Sequence, residues 1–226
     1  MEKMKSFPGT SLFANLDPHD IRALEKDAEV CRYQAGEWIV HNGDIWPFFF
    51  FIKGGEVTAV KESFEGRSLV LAALHGGEVF WGLAFFIQDA PMPASLRATQ
   101  DTELLLWSRE NLIPLFLKDG KLSWELSCLM IRRVQLASDI VEKLAFQPVA
   151  GRLARLLVGF AGEYPQKPIP RHLTLDEMAA RIGTTREMVC RFLHRFSDQG
   201  LIEITRTEFS VTNQKGLEDL AQQVKG

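Results

Sequence analysis

Between residues 173 and 200 the chain reads LTLDEMAARIGTTREMVCRFLHRFSDQG, and here it gathers the side chains best suited to recognising another molecule. On a helix that starts at Arg186 and turns about 100° per residue, Cys190, His194, Glu187 and Arg191 fall at about 40°, 80°, 100° and 140°. Met188, Phe192, Phe196, Val189 and Leu193 fall at about 200° to 340° on the same wheel. The two arcs do not overlap. One face is built for burial, and the other presents two arginines, a glutamate, a histidine and a small cysteine. That set suits the major groove of a duplex. An arginine fork matches guanine O6 and N7, and a glutamate accepts from cytosine N4 while repelling phosphate. Cys190 is small enough to let the helix sit deep.

The elements that must position these groups can be read on either side. Thr174 followed by Glu177 is a capping box that opens a short helix through Met178, Ala179 and Ile182. Gly183 supplies a tight turn, and Thr185 caps the second helix. A short helix, a glycine turn and a second capped helix form a helix-turn-helix. Leu201 to Thr205 and Phe209 to Thr212 then alternate as a hairpin, or wing, with Arg206 at its tip. Asn213 caps a last helix through Leu217 and Leu220.

The N-terminal half has a different rhythm. Asp17-Pro18 starts a helix across Ile21, Leu24 and Ala28. From Val30 to about Trp107, short apolar runs at Trp38 to Val40, Phe48 to Ile52, Glu56 to Val60 and Ser68 to Leu74 are punctuated by glycines. That spacing predicts an antiparallel β-roll or jelly roll, with alternate residues of Phe48 to Phe51 in the core. From about Leu115 to Leu144 the period becomes helical. Met130, Val134, Ala137, Val141 and Leu144 form a seam that predicts pairing with a second copy. Leu122, Leu126, Leu129, Leu136 and Ile140 form a second stripe that can pack on the roll. Pro148 opens the next helix, which ends near Gly162, and Tyr164 to Pro170 reads as a loop. The chain is therefore α+β, with a sensor roll over 1–114, a dimerisation helix over 115–146 and a winged helix-turn-helix over 147–226.

Composition fits this division. The 226 residues are 46% hydrophobic and 24% charged, enough to bury real cores and too mixed for disorder. No apolar run approaches the roughly 18 residues of a membrane span, and no secretory leader opens the chain, so it is expected in the cytoplasm and off the membrane. Three separated cysteines, Cys31, Cys128 and Cys190, form no disulfide framework. Residues 146–226 hold 11 Lys/Arg against 9 Asp/Glu, a net +2, leaving −5 for the rest. Charge alone does not announce a nucleic-acid partner. The five histidines show no H-x-H metal spacing of the kind a cupin enzyme needs. Walker A, G-x-S-x-G and dinucleotide fingerprints are absent too, so an enzyme is not expected and no metal site is assigned. A regulatory β-roll module without DNA would leave the winged half unused.

A roll, a long helix and a winged helix-turn-helix containing TREMVCRFL resemble the cyclic-AMP receptor protein/FNR (Crp/Fnr) family of bacterial transcription regulators, over essentially the whole chain. Lys53-Gly54-Gly55-Glu56-Val57, Gly76-Gly77-Glu78-Val79-Phe80 and Leu144-Ala145-Phe146 ahead of Gly151-Arg152 match family landmarks. The resemblance implies that Arg186, Glu187 and Arg191 read bases in a palindromic, TGTGA-like site on double-stranded DNA. It implies that Thr174, Thr185, His194 and Arg206 contact phosphates, which position rather than specify. It also implies a homodimer with half-sites about 34 Å apart, and contact with RNA polymerase.

Relatives that bind cyclic AMP carry a glutamate for the ribose and an Arg-Ser pair for the phosphate. Those positions are Gly82 and Met92-Pro93 here. A phosphate buried without a cation would be badly unsatisfied, so cyclic AMP is not expected. Arg132-Arg133 and Ser138 match pocket-lining positions of the family. An iron–sulfur cluster is not expected either, because only Cys31 lies near the N-terminus. The remaining pocket, lined by Trp81, Gly82, Leu83, Phe85, Phe86 and Met92 with Phe49, suits an unknown apolar or aromatic small molecule. Haem is a second reading, with His41, His75, Met92 or Cys31 as candidate ligands. A thiol signal through Cys190, or no effector at all, is the third reading.

Overall fold

The computed structural model describes residues 12–13, 15–163, 169–170, 174–205 and 208–222. Contacts gather the chain into two compact units, residues 1–61 with 71–135 and residues 62–70 with 136–226.

The first unit opens with α1 (Pro18–Asp27), where the Asp17 carboxylate accepts the His19 N–H at 2.8 Å and Pro18 fills the first turn. Eight strands follow: β1 (Glu29–Tyr33), β2 (Trp38–Val40), β3 (Phe48–Gly54), β4 (Glu56–Glu62), β5 (Ser68–His75), β6 (Val79–Trp81), β7 (Ser95–Ala98) and β8 (Thr102–Ser108). They form two four-stranded sheets, ordered β1-β8-β3-β6 and β2-β7-β4-β5. A short helix, α2 (Leu83–Phe86), lies between β6 and β7. This is the predicted antiparallel roll.

Strand β3 departs from the alternation expected of it. Phe49, Phe50, Phe51 and Ile52 are all fully buried. Phe50 and Ile52 belong to a core shared with Val57, Leu74 and Leu96 of the opposite sheet. Phe49 and Phe51 belong to a second core built with Leu24, Phe85, Leu112 and Leu126 of the helices. A strand covered on both faces reads as a continuous apolar run. Trp107 ties the outer layer down, donating its indole N–H to the Leu24 carbonyl at 2.8 Å.

The long helix starts later than the sequence suggests. Leu115 belongs to a separate helix, α3 (Arg109–Lys118), capped by Ser108. At Asp119 the chain restarts, because its carboxylate accepts the N–H groups of Lys121 and Leu122 at 2.9 and 3.0 Å. Helix α4 then runs Gly120–Phe146.

The second unit contains α5 (Val149–Glu163), β9 (Ile169–Pro170), α6 (Leu175–Ile182), α7 (Arg186–Asp198), β10 (Ile202–Ile204), β11 (Glu208–Val211) and α8 (Gln214–Ala221). Its core joins Leu153, Leu157, Met178, Val189, Phe196 and Leu217. Within the stretch read as a loop, Ile169–Pro170 forms a strand pairing with Glu208 and Phe209 at the edge of a β10-β11-β9 sheet. An edge is where a strand tolerates proline, which has no N–H to give to a ladder.

Candidate nucleic-acid interface

The helix-turn-helix is assembled by local hydrogen bonds. The Thr174 hydroxyl oxygen accepts the Glu177 N–H at 3.2 Å, and the Glu177 carboxylate accepts the Thr174 N–H at 2.7 Å, completing the capping box. Gly183 ends α6 in the left-handed region, at φ 64°, with its N–H on the Ala179 carbonyl. Its positive φ makes glycine the fitting residue, and a side chain there would also displace the Leu144 terminus, 2.5 Å away. The Thr185 hydroxyl oxygen accepts the Met188 N–H at 3.4 Å and opens α7.

Helix α7 divides as the wheel predicts. Val189, Leu193 and Phe196 are buried, Met188 and Phe192 partly so. Arg186, Glu187, Arg191 and His194 are exposed, and Cys190 is half-buried among them. The structure therefore brings the three candidate base readers onto one accessible face. Of the candidate phosphate contacts, Thr174 also donates its hydroxyl to Glu177 at 2.9 Å and is committed to its cap. Arg206 lies outside the described residues.

Two neighbours were not legible in the sequence. Asp176 on α6 accepts a hydrogen bond from Arg186 at 3.1 Å, with both side chains about two-thirds exposed. Arg152 on α5 donates Nε to the Ile182 carbonyl at 2.7 Å, Nη1 to Gln147 at 2.6 Å and Nη2 to Gly183 at 3.3 Å. The Ile182 and Gly183 carbonyls are ones that the end of α6 leaves unpaired, at the turn itself, and the Gln147 carbonyl follows the end of α4. Burial pushes the Arg152 pKa below its ordinary value. The sequence signal nearest to this role is the Gly151-Arg152 landmark.

The candidate effector residues are not gathered into one pocket. Phe85 lies with Phe49 in the core beneath the helices, whereas Met92 lies in the core between the sheets. Trp81 stacks on Phe49 at 5.9 Å, and Leu83 is partly exposed. Gly82 admits no side chain: a Cβ would fall 1.8 Å from the Trp46 carbonyl oxygen. Arg133 lies 5.5 Å over the Phe80 ring and donates to Glu78 Oε1 at 3.3 Å, with its Nε buried and unpartnered. Ser138 is exposed. Of the candidate haem ligands, His41 and His75 are exposed, and burial beside Glu29 raises the Cys31 thiol above its ordinary pKa.

On α4, Val134, Ala137 and Val141 of the predicted seam are exposed, with Ile131 and Trp124 beside them. Met130 instead packs partly against the helical core of the first unit, and Leu144 is half-buried. No helix of the described residues is long and apolar enough to cross a membrane.

Comparison with known proteins is consistent across both units. Residues 30–119 match the family model "Cyclic nucleotide-binding domain", and residues 151–220 match "Crp-like helix-turn-helix domain". The chain is 28% identical over 215 residues to the cyclic AMP receptor protein of Thermus thermophilus, covering 94% of this chain and 97% of that one. It is 29% identical over 180 residues to the cAMP-activated global transcriptional regulator Vfr of Pseudomonas aeruginosa, covering 76% and 84%. Among solved structures, a Crp/Fnr-family regulator of Eubacterium rectale superposes with a TM-score of 0.78 at 21% identity, over 94% of this chain and 98% of that one. The c-di-GMP responsive regulator CLP of Xanthomonas campestris gives a TM-score of 0.75 at 22% identity, over 86% and 99%. The two structures establish the shared fold.

Proposed function

We propose that this chain, which belongs to the Crp/Fnr family of DNA-binding transcription regulators, works in the cytoplasm as a homodimer that reads a palindromic, TGTGA-like site under control of a small molecule other than cyclic AMP. It is a regulator and not an enzyme, as its relatives are. The observation that carries the reading is the exposed arc of Arg186, Glu187 and Arg191 on a helix whose opposite face is buried. Arg186 and Arg191 present forks to guanine edges, and Glu187 accepts from cytosine while penalising misplacement against phosphate. Thr185, His194 and Arg206 hold the backbone and set the register.

The exposed Ile131, Val134 and Val141 stripe supports pairing of α4 with its copy. Such a pair presents two recognition helices to half-sites about 34 Å apart. By family resemblance, the bound dimer touches RNA polymerase.

Two observations support an effector other than cyclic AMP. The position that should hold a ribose-binding glutamate is a glycine pressed against the Trp46 carbonyl, and the phosphate pair is replaced by Met92-Pro93. Haem finds no convergent ligands among the described residues, since Met92 is core while His41 and His75 are exposed. An apolar or aromatic molecule against Trp81 and Leu83 is the effector we favour. The Arg133–Glu78 contact, which joins α4 to the start of β6, is the route by which occupancy would reach α4. Control requires the effector to prefer the DNA-competent state by about a kcal/mol or more.

The test is fluorescence anisotropy with a palindromic TGTGA duplex and a scrambled one, alongside native mass spectrometry of protein purified from cells. Tighter binding of the palindrome by a dimer supports the reading. Equal affinity for both duplexes overturns it. A small mass carried by each subunit identifies the effector for the next experiment.

A further inference from the structure

The second unit holds an open cavity of about 370 Å³ that the DNA-binding role does not use, and all of its lining residues belong to that unit. Four cationic side chains reach its wall, Lys143, Arg152, Arg155 and Arg181, and no carboxylate of the described residues does. Arg152 is committed to three carbonyls, and Arg155 donates to the Ala221 carbonyl at 2.8 Å. Lys143 and Arg181 are exposed and take part in no ion pair among the described residues. Ile140, Leu144, Leu156 and Phe160 supply an apolar floor.

We infer that this cavity binds an amphipathic organic anion, a carboxylic acid with an aliphatic or aromatic body. Lys143 and Arg181 would pair with the head group, and the apolar floor would take the body. The unbalanced positive charge selects the anion, and the floor excludes small inorganic ions as full occupants. The volume lies within the roughly 300–1,000 Å³ of small-molecule sites. The inference concerns the protein without DNA and stands apart from the reading of base recognition.

The experiment is displacement of 8-anilinonaphthalene-1-sulfonate by decanoate on the full-length protein, with 1-decanol as the uncharged control. The prediction is displacement by decanoate at one molecule per chain, weak displacement by decanol, and at least a tenfold loss of decanoate affinity in the Lys143→Gln/Arg181→Gln variant. Both residues are exposed, so a thermal melt matching the parent checks that the variant is folded. Arg191→Gln, which changes an exposed cation outside the cavity, controls for charge in general. Failure of decanoate to displace the dye below about 1 mM, equal displacement by decanol, or equal loss in Arg191→Gln would overturn the site.

Discussion

Asp176 Oδ2 lies 3.1 Å from Arg186 Nη1, so the first arginine of the recognition surface is held by an acid on the preceding helix. The pair is exposed, and its energy is correspondingly small. Its position matters more. On the proposed role, Arg186 must leave Asp176 to read a guanine, and a carboxylate left beside the recognition helix would disfavour the polyanionic duplex.

Asp176→Asn is therefore expected to tighten binding by about two- to fivefold, while the preferred base at the Arg186 position is unchanged. Anisotropy titrations of both proteins on one duplex would check this. Weaker binding would mean that Asp176 orients Arg186 rather than competing for it.

The apolar stripe on α4 predicts the oligomeric state. Val134→Lys combined with Val141→Lys places like charges along the seam and should leave a folded monomer by light scattering. Binding of the palindrome should fall toward that of a single half-site. A dimer unchanged by the double substitution would move the interface elsewhere.

Restoring the ribose-binding glutamate should not restore the ligand. A Cβ at Gly82 collides with the Trp46 carbonyl, so Gly82→Glu is expected to lower the melting temperature of the roll rather than confer cyclic AMP binding. Calorimetry with and without the nucleotide distinguishes the two. A stable variant that binds cyclic AMP would contradict the account of the pocket.

Arg152 holds the helix-turn-helix at its turn. Arg152→Met removes its bonds to Ile182, Gly183 and Gln147, and should destabilise the second unit by about 1–3 kcal/mol. Arg152→Lys should recover only part, because one ammonium cannot reproduce the fork. Denaturation followed by near-ultraviolet circular dichroism would measure the difference.

What could be read from the sequence was what is encoded locally. The Thr174–Glu177 box, the left-handed Gly183 and the two faces of α7 each depend on residues a few positions apart, and all three appear in the structure. The break at Asp119 gives no periodic signal, because the apolar period runs across it and only a capping carboxylate marks the restart. The two-sided burial of Phe49 to Ile52 depends on helices that cover the outer sheet face, which a strand does not announce. The same holds for the site. Arg186, Glu187 and Arg191 lie on one helical arc, whereas Asp176 and Arg152 reach the turn through tertiary folding. Gly82 and Met92 stand where the family's cyclic-AMP binders carry a glutamate and an arginine, a departure legible by position, whereas the aromatic packing of that region is set by the fold.

The central claim is that Arg186, Glu187 and Arg191 read bases, and selection from a pool of randomised duplexes tests it most directly. Wild-type protein should enrich a palindrome with TGTGA-like arms. Arg186→Ala and Arg191→Ala should each lose about 1–3 kcal/mol and relax one base pair, and Glu187→Ala should broaden the site more than it weakens binding. Equal loss of affinity on every sequence, with base preferences intact in all three variants, would contradict the account.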